Sequence, residues 1–415
     1  MNNCSKLFEA SPHLHIAIPA MNELEYLPLT LQTINNQESN YKYTIYICVN
    51  QPDNWWQEKE NEKFEVCKNN EQLLLYLAQL NNDKIKILDF SSKGNGWTRK
   101  KYGVGWARKV LFDHILKIAR EDDLIISLDA DTLIPSNYFQ LIGDFFKTRP
   151  TANVLSVPYF HPLSDNYEAN LAILRYEIYM RCYLINMFLI NSPYAFTAIG
   201  SAIAIQIRAL RKIGGITPMK SGEDFYLLQK LRKMGHIHQW LPEVVKPAAR
   251  FSNRVFFGTG PAILKGVKGD WTSYPIYHPL LFQEIKKNYE LIPTLFHEEI
   301  DTPFITFLKQ QFQDENLWQP LRKNSKNVEQ FTKAFHEKAD GLRILQFFKV
   351  KQKELEITDE KGMIDSLSLF FGTIPDFLTP SFGFEELTTE QLNILREQLF
   401  AYEMLLRKRN DEHIP

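Results

Sequence analysis

Residues 123–132 read DLIISLDADT, a near-continuous apolar run that stops at two carboxylates separated by one small residue. A run of this kind suits a central strand covered on both faces. Such a strand delivers Asp129 and Asp131 to the carboxyl edge of its sheet, where ligands of open α/β sheets bind. One or two carboxylates completed by substrate phosphates are the usual donor set for Mg²⁺, and Mn²⁺ accepts the same oxygens. The competing reading is a solvated turn in which an Asp caps the next helix, begun at Pro135 and Ser136. The pair by itself does not choose between them.

Outward from this strand, strand-like and helix-like segments alternate, as in an α/β sheet. Leu14–Pro19 (LHIAIP) predicts a short buried strand, and Asn22 is placed to cap a helix through about Asn35, with Leu27, Leu31 and Ile34 on one face. Tyr43–Val49 predicts a second strand ending in the turn cluster Asn50-Gln51-Pro52-Asp53. A polar helix is expected within 55–82, a strand over Lys84–Phe90, and a glycine-punctuated loop (Gly94, Gly96, Gly103, Gly105) opening a helix over Ala107–Arg120. Further on, Ala152–Val157 and Ser201–Ile207 read as strands, about 165–191 as a Tyr- and Arg-rich helix, and Glu223–Met234 as a helix begun by two acids. Beyond Ser273 the pattern becomes helical. The last helix is marked by Thr388 and Gln391, a capping box, then by Leu392, Leu395, Leu399, Tyr402 and Leu406 at helical spacing. The expected organisation is an α/β domain over 1–275 and a mainly helical region over 276–415.

Bulk properties fit this plan. The 415 residues are 44% hydrophobic and 23% charged, enough for one large domain and a smaller one. Lys and Arg (48) nearly balance Asp and Glu (49), so no global field draws the chain to nucleic acid. Four scattered cysteines, with neither a CxxC pair nor metal-ligand spacing, read as free thiols in a reducing compartment. The N-terminal residues have no basic start and no apolar core, unlike a signal peptide. The apolar stretch from Tyr183 to Ile205 is interrupted by Asn186, Asn191, Ser192, Pro193 and Gly200, so no transmembrane segment is expected. The chain is therefore expected in the cytoplasm, with peripheral membrane association left open.

Four other segments bear on chemistry. Glu223-Asp224 stands at a helix start, where the macrodipole favours acids whatever their role. In the functional reading Asp224 is a general base that takes a proton from a hydroxyl. The turn Ala17–Glu23 joins a strand to a helix whose free N–H groups suit a nucleotide, though a plain capping turn explains it equally well. Gly103–Lys109 offers close backbone approach and Arg108 toward a phosphate; it lacks the Walker spacing. Arg250 and Arg254, beside Gly258-Thr259-Gly260, have the geometry of a diphosphate clamp or of a basic surface loop.

In this order the pieces resemble glycosyltransferase family 2, with its GT-A fold. The resemblance runs over residues 14–260: IPAMNE (18–23), Lys93-Gly94 with Ala107-Arg108, DAD (129–131), Gly200-Ser201-Ala202 through Arg208 to Gly214-Gly215, and GED (222–224). It implies a mostly parallel central sheet flanked by helices, followed here by a C-terminal helical extension. It also implies that Pro19, Asn22 and Glu23 lie by the nucleoside, that Lys93 belongs to the donor site, and that Asp129 and Asp131 meet ribose, diphosphate and a Mn²⁺ or Mg²⁺ ion. Asp224 is then the base of an inverting single displacement from a UDP- or GDP-sugar to an acceptor hydroxyl on a sugar, a lipid-linked group or a small molecule. Many relatives carry acids after the second strand; here Asn50 takes that place. A late His often completes the metal site in the family, but His278 and His297 sit in no convincing motif. Trp271, Tyr274, Tyr277 and the Tyr-rich stretch 167–183 offer an acceptor wall, or ordinary core packing.

Two other readings compete. A sugar-phosphate nucleotidyltransferase also uses acids and Mg²⁺, but needs a Gly-rich basic loop after the first strand, where this chain has Pro-Ala-Met-Asn-Glu. A non-catalytic protein of the same fold has no need of three intact acids.

Overall fold

Strand β1 (Leu14–Ala20) is buried at every residue, and β2 (Tyr43–Asn50) at all but its first two. Both lie inside a six-stranded sheet with β3 (Ile85–Phe90), β4 (Leu124–Ser127), β6 (Val154–Ser156) and β7 (Ile203–Gln206), ordered β3-β2-β1-β4-β7-β6. β3, β2, β1 and β4 run parallel, and β7 is antiparallel to β4 and to β6. The mostly parallel sheet expected from the sequence is thus present. The structure is a computed structural model describing residues 11–58, 61–98, 102–219, 222–250, 264–266, 268–379 and 381–412.

Two compact units are formed, Met1–Leu163 with Ala198–Pro261, and Ser164–Thr197 with Ala262–Pro415. The first holds the sheet and the helices α1 (Leu27–Asn35), α2 (Glu62–Gln79), α3 (Val104–Leu116), α4 (Tyr138–Thr148), α6 (Ile207–Lys212) and α7 (Glu223–Arg232). Leu27, Leu31 and Ile34 of α1 are buried together, as their spacing requires. A two-stranded sheet pairs β5 (Thr132–Leu133) antiparallel with β8 (Lys246–Pro247).

Two local expectations are corrected. Asn22 does not cap α1: its φ is +61° and its N–H donates to Asn70 Oδ1 at 2.8 Å, so the helix begins only at Leu27. Helix α3 begins at Val104 rather than Ala107, placing Gly105 in its first turn. A Cβ there would lie 2.0 Å from the Met219 carbonyl oxygen, so only glycine permits that approach.

The second unit is helical. The long α5 (Tyr167–Leu189) is buried almost all round and packs against the last helix, here α15 (Thr389–Glu412); between them in sequence come α8 (Pro279–Glu290), α9 (Ile292–His297), α10 (Pro303–Phe312), α11 (Gln319–Asn324), α12 (Val328–Lys338), α13 (Gly341–Glu354) and α14 (Asp359–Phe371). The capping box forms reciprocally: Thr388 N–H donates to Gln391 Oε1 at 2.9 Å and Gln391 N–H to Thr388 Oγ1 at 3.3 Å. Leu392, Leu395 and Leu399 are buried as expected. Beyond them the buried face passes from Tyr402 and Leu406 to Glu403, Arg407 and Asp411.

Those charges belong to an ion network between α5 and α15. Arg181 donates to Glu177 at 2.8 Å and to Glu403 at 2.7 Å, and Arg407 donates to Glu403 at 2.7 Å; all four side chains are fully buried. Removing one partner of such a set strands the other charges away from water. Glu403→Ala is therefore expected to cost about 3–5 kcal/mol of stability. Urea melting checks this, and a loss of under about 1 kcal/mol, the level of a surface pair, contradicts it.

No described helix is long and apolar enough to cross a membrane. Cys48, Cys67 and Cys182 are buried free thiols; Cys4 lies outside the described residues. Tyr274 and Tyr277 are buried among Tyr176 and Tyr179, with ring centroids 5.2–6.4 Å apart, and form core. His278 caps α8 and bonds Asp365 at 2.6 Å, a structural task, while His297 closes α9 on the surface.

Candidate functional site

The order β2-β1-β4 makes the gap between the carboxyl ends of β1 and β4 a switch point, because the chain leaves β1 toward β2 on one side and β4 lies on the other. Crevices of this kind are the ligand sites of open α/β sheets. Glu23 follows β1, and Asp129 and Asp131 follow β4, so all three acids emerge at this gap. The Asp-Ala-Asp turn is pinned from two sides: Thr30 Oγ1 of α1 donates to the Ala130 carbonyl at 2.9 Å, and Thr132 N–H donates to the Asp129 carbonyl at 3.2 Å.

Two arginines organise the carboxylates. Arg108, nearly fully buried on α3, donates through Nη2 to Asp129 at 2.6 Å and through Nη1 to Glu223. Burial works against its charge, but Glu223 and Asp129 more than offset this and hold the guanidinium protonated. Gly200 sits against this group; a Cβ there would come within 2.5 Å of Nη2, so a side chain at 200 would displace the bridge. Arg250 is delivered by the β5–β8 pairing, in which Ala248 N–H donates to the Asp131 carbonyl at 3.1 Å. It donates to Asp131 at 2.7 Å and to both Glu23 oxygens at 2.7 and 2.8 Å, and stacks 4.1 Å above the Tyr26 ring. Arg108 and Arg250 thus each bridge two carboxylates.

Asp224 adjoins this cluster in the first turn of α7. Its Oδ1 accepts from the Phe225 N–H at 2.8 Å. Burial, then the neighbouring Glu223 carboxylate, push its pKa up to about 7 against the opposing pull of Arg108. Asp129 also acts on it electrostatically, and Glu223, the residue before it, shares the Arg108 guanidinium with Asp129.

The remaining predicted residues lie around this core. Pro19, next to last in β1, is buried and lies opposite Cys48. Asn50 is buried, donates to the Ala20 carbonyl at 2.9 Å and accepts from Trp97 Nε1 at 3.2 Å. Lys93 stands exposed in the turn after β3 and makes none of the cluster's ion pairs. Arg254, with Phe251–Asn253 and Gly258–Gly260, lies outside the described residues. Sequence reasoning missed Glu223 as the second partner of Arg108, Tyr26 beneath Arg250, and Asn70, which holds Asn22 and Asn50 together. A single acid one position before Asp224 carries no local signal of a partner 115 residues away.

Among the described residues, no group of three or more His, Cys, Asp or Glu side chains is arranged to hold a metal ion. The donor set on offer is Asp129 and Asp131, one residue apart, with Asp129 about one-third exposed. That set fits a hard cation when substrate oxygens complete the coordination.

Residues 124–259 match the profile of the glycosyl transferase family group 2, a span that includes both the Asp-Ala-Asp turn and Asp224. No curated protein sequence matches. Among solved structures, the chain is similar to TarS 1-349 of S. aureus in complex with UDP-GlcNAc, at 12% identity and a TM-score of 0.43, covering 97% of this chain and 92% of that one. It is also similar to the mannosyltransferase PcManGT from Pyrobaculum calidifontis in complex with GDP-Man and Mn²⁺, at 13% identity and a TM-score of 0.40, covering 98% and 88%. At these scores the likenesses carry no argument about ligand or acceptor.

Proposed function

We propose that this chain, which carries a glycosyltransferase domain of the family 2 type, moves a sugar from a nucleoside-diphosphate sugar to an acceptor hydroxyl with inversion, using Asp224 as the general base. The observation that carries the reading is the clustering of Asp129 and Asp224 about Arg108 at the switch point, with Asp131 two residues further along the same turn. The acceptor oxygen attacks the anomeric carbon and its proton passes to an Asp224 oxygen. The bond to the diphosphate oxygen breaks, and the nucleoside diphosphate leaves with the electron pair. A carboxyl raised above its ordinary range by burial and by Glu223 is matched to this task.

The two arginines act as positioning residues. Arg108 fixes Asp129 and Glu223, and Arg250 ties Asp131 to Glu23, so the acids are oriented before the donor arrives. Asp129 and Asp131 would hold Mn²⁺ or Mg²⁺, which when bound supplies charge to the departing diphosphate. Pro19, Asn22, Glu23 and Asn50 face the nucleoside in this reading, with Lys93 and Arg250 on the phosphate side. UDP- and GDP-sugars are the donors to test. The buried free thiols support a reducing, cytoplasmic setting.

Asp131→Ala is expected to weaken metal-dependent donor binding by about tenfold or more, the loss of one charge-assisted contact. Calorimetry with and without Mn²⁺ reads the effect, and an unchanged affinity removes Asp131 from the donor site. Because the raised group works as a base only when deprotonated, kcat/KM should climb with pH on a limb displaced from the carboxylate range toward about 7. Stability runs the other way. Folding favours the protonated acid, so this stabilisation is complete at low pH and is lost as pH rises from about 4 to about 7. The melting temperature of wild type relative to Asp224→Asn should accordingly fall across that interval; a difference that does not change with pH contradicts the shifted titration.

A further inference from the structure

The helical unit contains a cavity of about 1260 Å³, bounded by α5, Gly266 and the stretch 269–275, the end of α13, the start of α14 and the stretch 384–392. Pockets for single small molecules span roughly 300–1,000 Å³, so this one has room for more than one ring. Its most unusual wall residue is Arg175, 3% exposed. The guanidinium lies between Phe384, 3.8 Å from the ring centroid, and Trp271, 5.2 Å away, and is paired with Asp359 through Nη2. Its Nε and Nη1 have no hydrogen-bond partner among the described residues. Leaving such donors unmet costs about 1–3 kcal/mol each, so acceptor atoms in the cavity would be favoured there.

The rest of the lining decides what brings those acceptors. Five carboxylates, Glu168, Glu356, Asp359, Glu360 and Glu385, face three cations, Arg175, Lys349 and Lys353. An anion would meet this excess of acid with its own charge. An apolar ligand would leave the Arg175 donors and the carboxylates without partners. Hydroxyl groups answer both, since each donates to a carboxylate and accepts from a guanidinium or ammonium. Trp271 and the 58%-exposed Tyr167 add ring surface at the same cavity, suited to the C–H faces of a sugar. The geometry points to a binding site for an uncharged oligosaccharide of two or more rings in the helical unit, anchored by Arg175. This site is independent of the chemistry assigned to Asp224, and its test contains no donor.

The full chain is titrated by calorimetry and saturation-transfer NMR with the uncharged probes maltotriose, cellotriose, mannotriose and triacetylchitotriose, and with the anionic probes trigalacturonate and inorganic phosphate. At least one uncharged trisaccharide should bind, and Arg175→Met and Tyr167→Ala should each weaken it by about tenfold. Tyr167 is exposed, so its variant keeps the fold and decides the matter if Arg175→Met does not fold. Binding of no uncharged probe up to about 10 mM, binding unaffected by both substitutions, or binding of an anionic probe alone with loss in Arg175→Met each overturns the assignment.

Discussion

Asp224→Asn should lower the rate of sugar transfer by about 10²–10⁴-fold, the usual share of a positioned general base, while leaving the fold and donor affinity near those of wild type. The expectation follows from what the substitution keeps and removes. An Asn Oδ1 still accepts the Phe225 N–H that orients the side chain in the first turn of α7. The shape is retained, and the repulsion from Glu223 that burdens the ionised carboxylate is relieved. Only the capacity to take a proton is lost. Kinetics with saturating donor, alongside a calorimetric donor titration, separate these effects. Near-normal turnover would remove Asp224 from the base role and favour a binding protein of the same fold.

Arg108→Met should have the largest effect on stability in the first unit. It leaves Glu223, 2% exposed, as a buried carboxylate without its cation, and releases Asp129. Breaking a buried pair in this way costs about 3–5 kcal/mol. Lys at this position should not rescue it, because Nη1 and Nη2 serve two different carboxylates and an ammonium cannot reproduce that fork. Adding Glu223→Gln should recover a large part of the loss by removing the stranded charge. Urea unfolding of the single and double variants reads the coupling; additive losses contradict a direct Arg108–Glu223 interaction.

Much of the first unit was legible because its signals are local. The apolar runs at 14–19, 43–49 and 123–128 are strands, and the Asp-Ala-Asp turn ends one of them. The Thr388–Gln391 box also announced its helix. What escaped the sequence depends on partners far along the chain. Asn22 looked like a helix cap, but its backbone is recruited by Asn70, 48 residues on. For Arg108 and Arg250 the sequence shows no partner; the β5–β8 pairing and the approach of α7 bring carboxylates to both. Glu403 and Arg407 follow Leu399 on the same helical face, but a charged pair there gives no sign of burial until Arg181 packs against it. Likewise, the Tyr content of 167–183 did not tell core from cavity wall.

On the proposed mechanism the turn after β4 and the start of α7 address one donor molecule. A crystal structure of the Asp224→Asn chain with the UDP- or GDP-sugar that most raises its melting temperature, in the presence of Mn²⁺, tests it most directly. The expected density places the diphosphate beside Asp129 and Asp131 and the anomeric carbon within reach of residue 224. A donor seated away from the β1–β4 gap, or a sugar turned away from residue 224, contradicts the account.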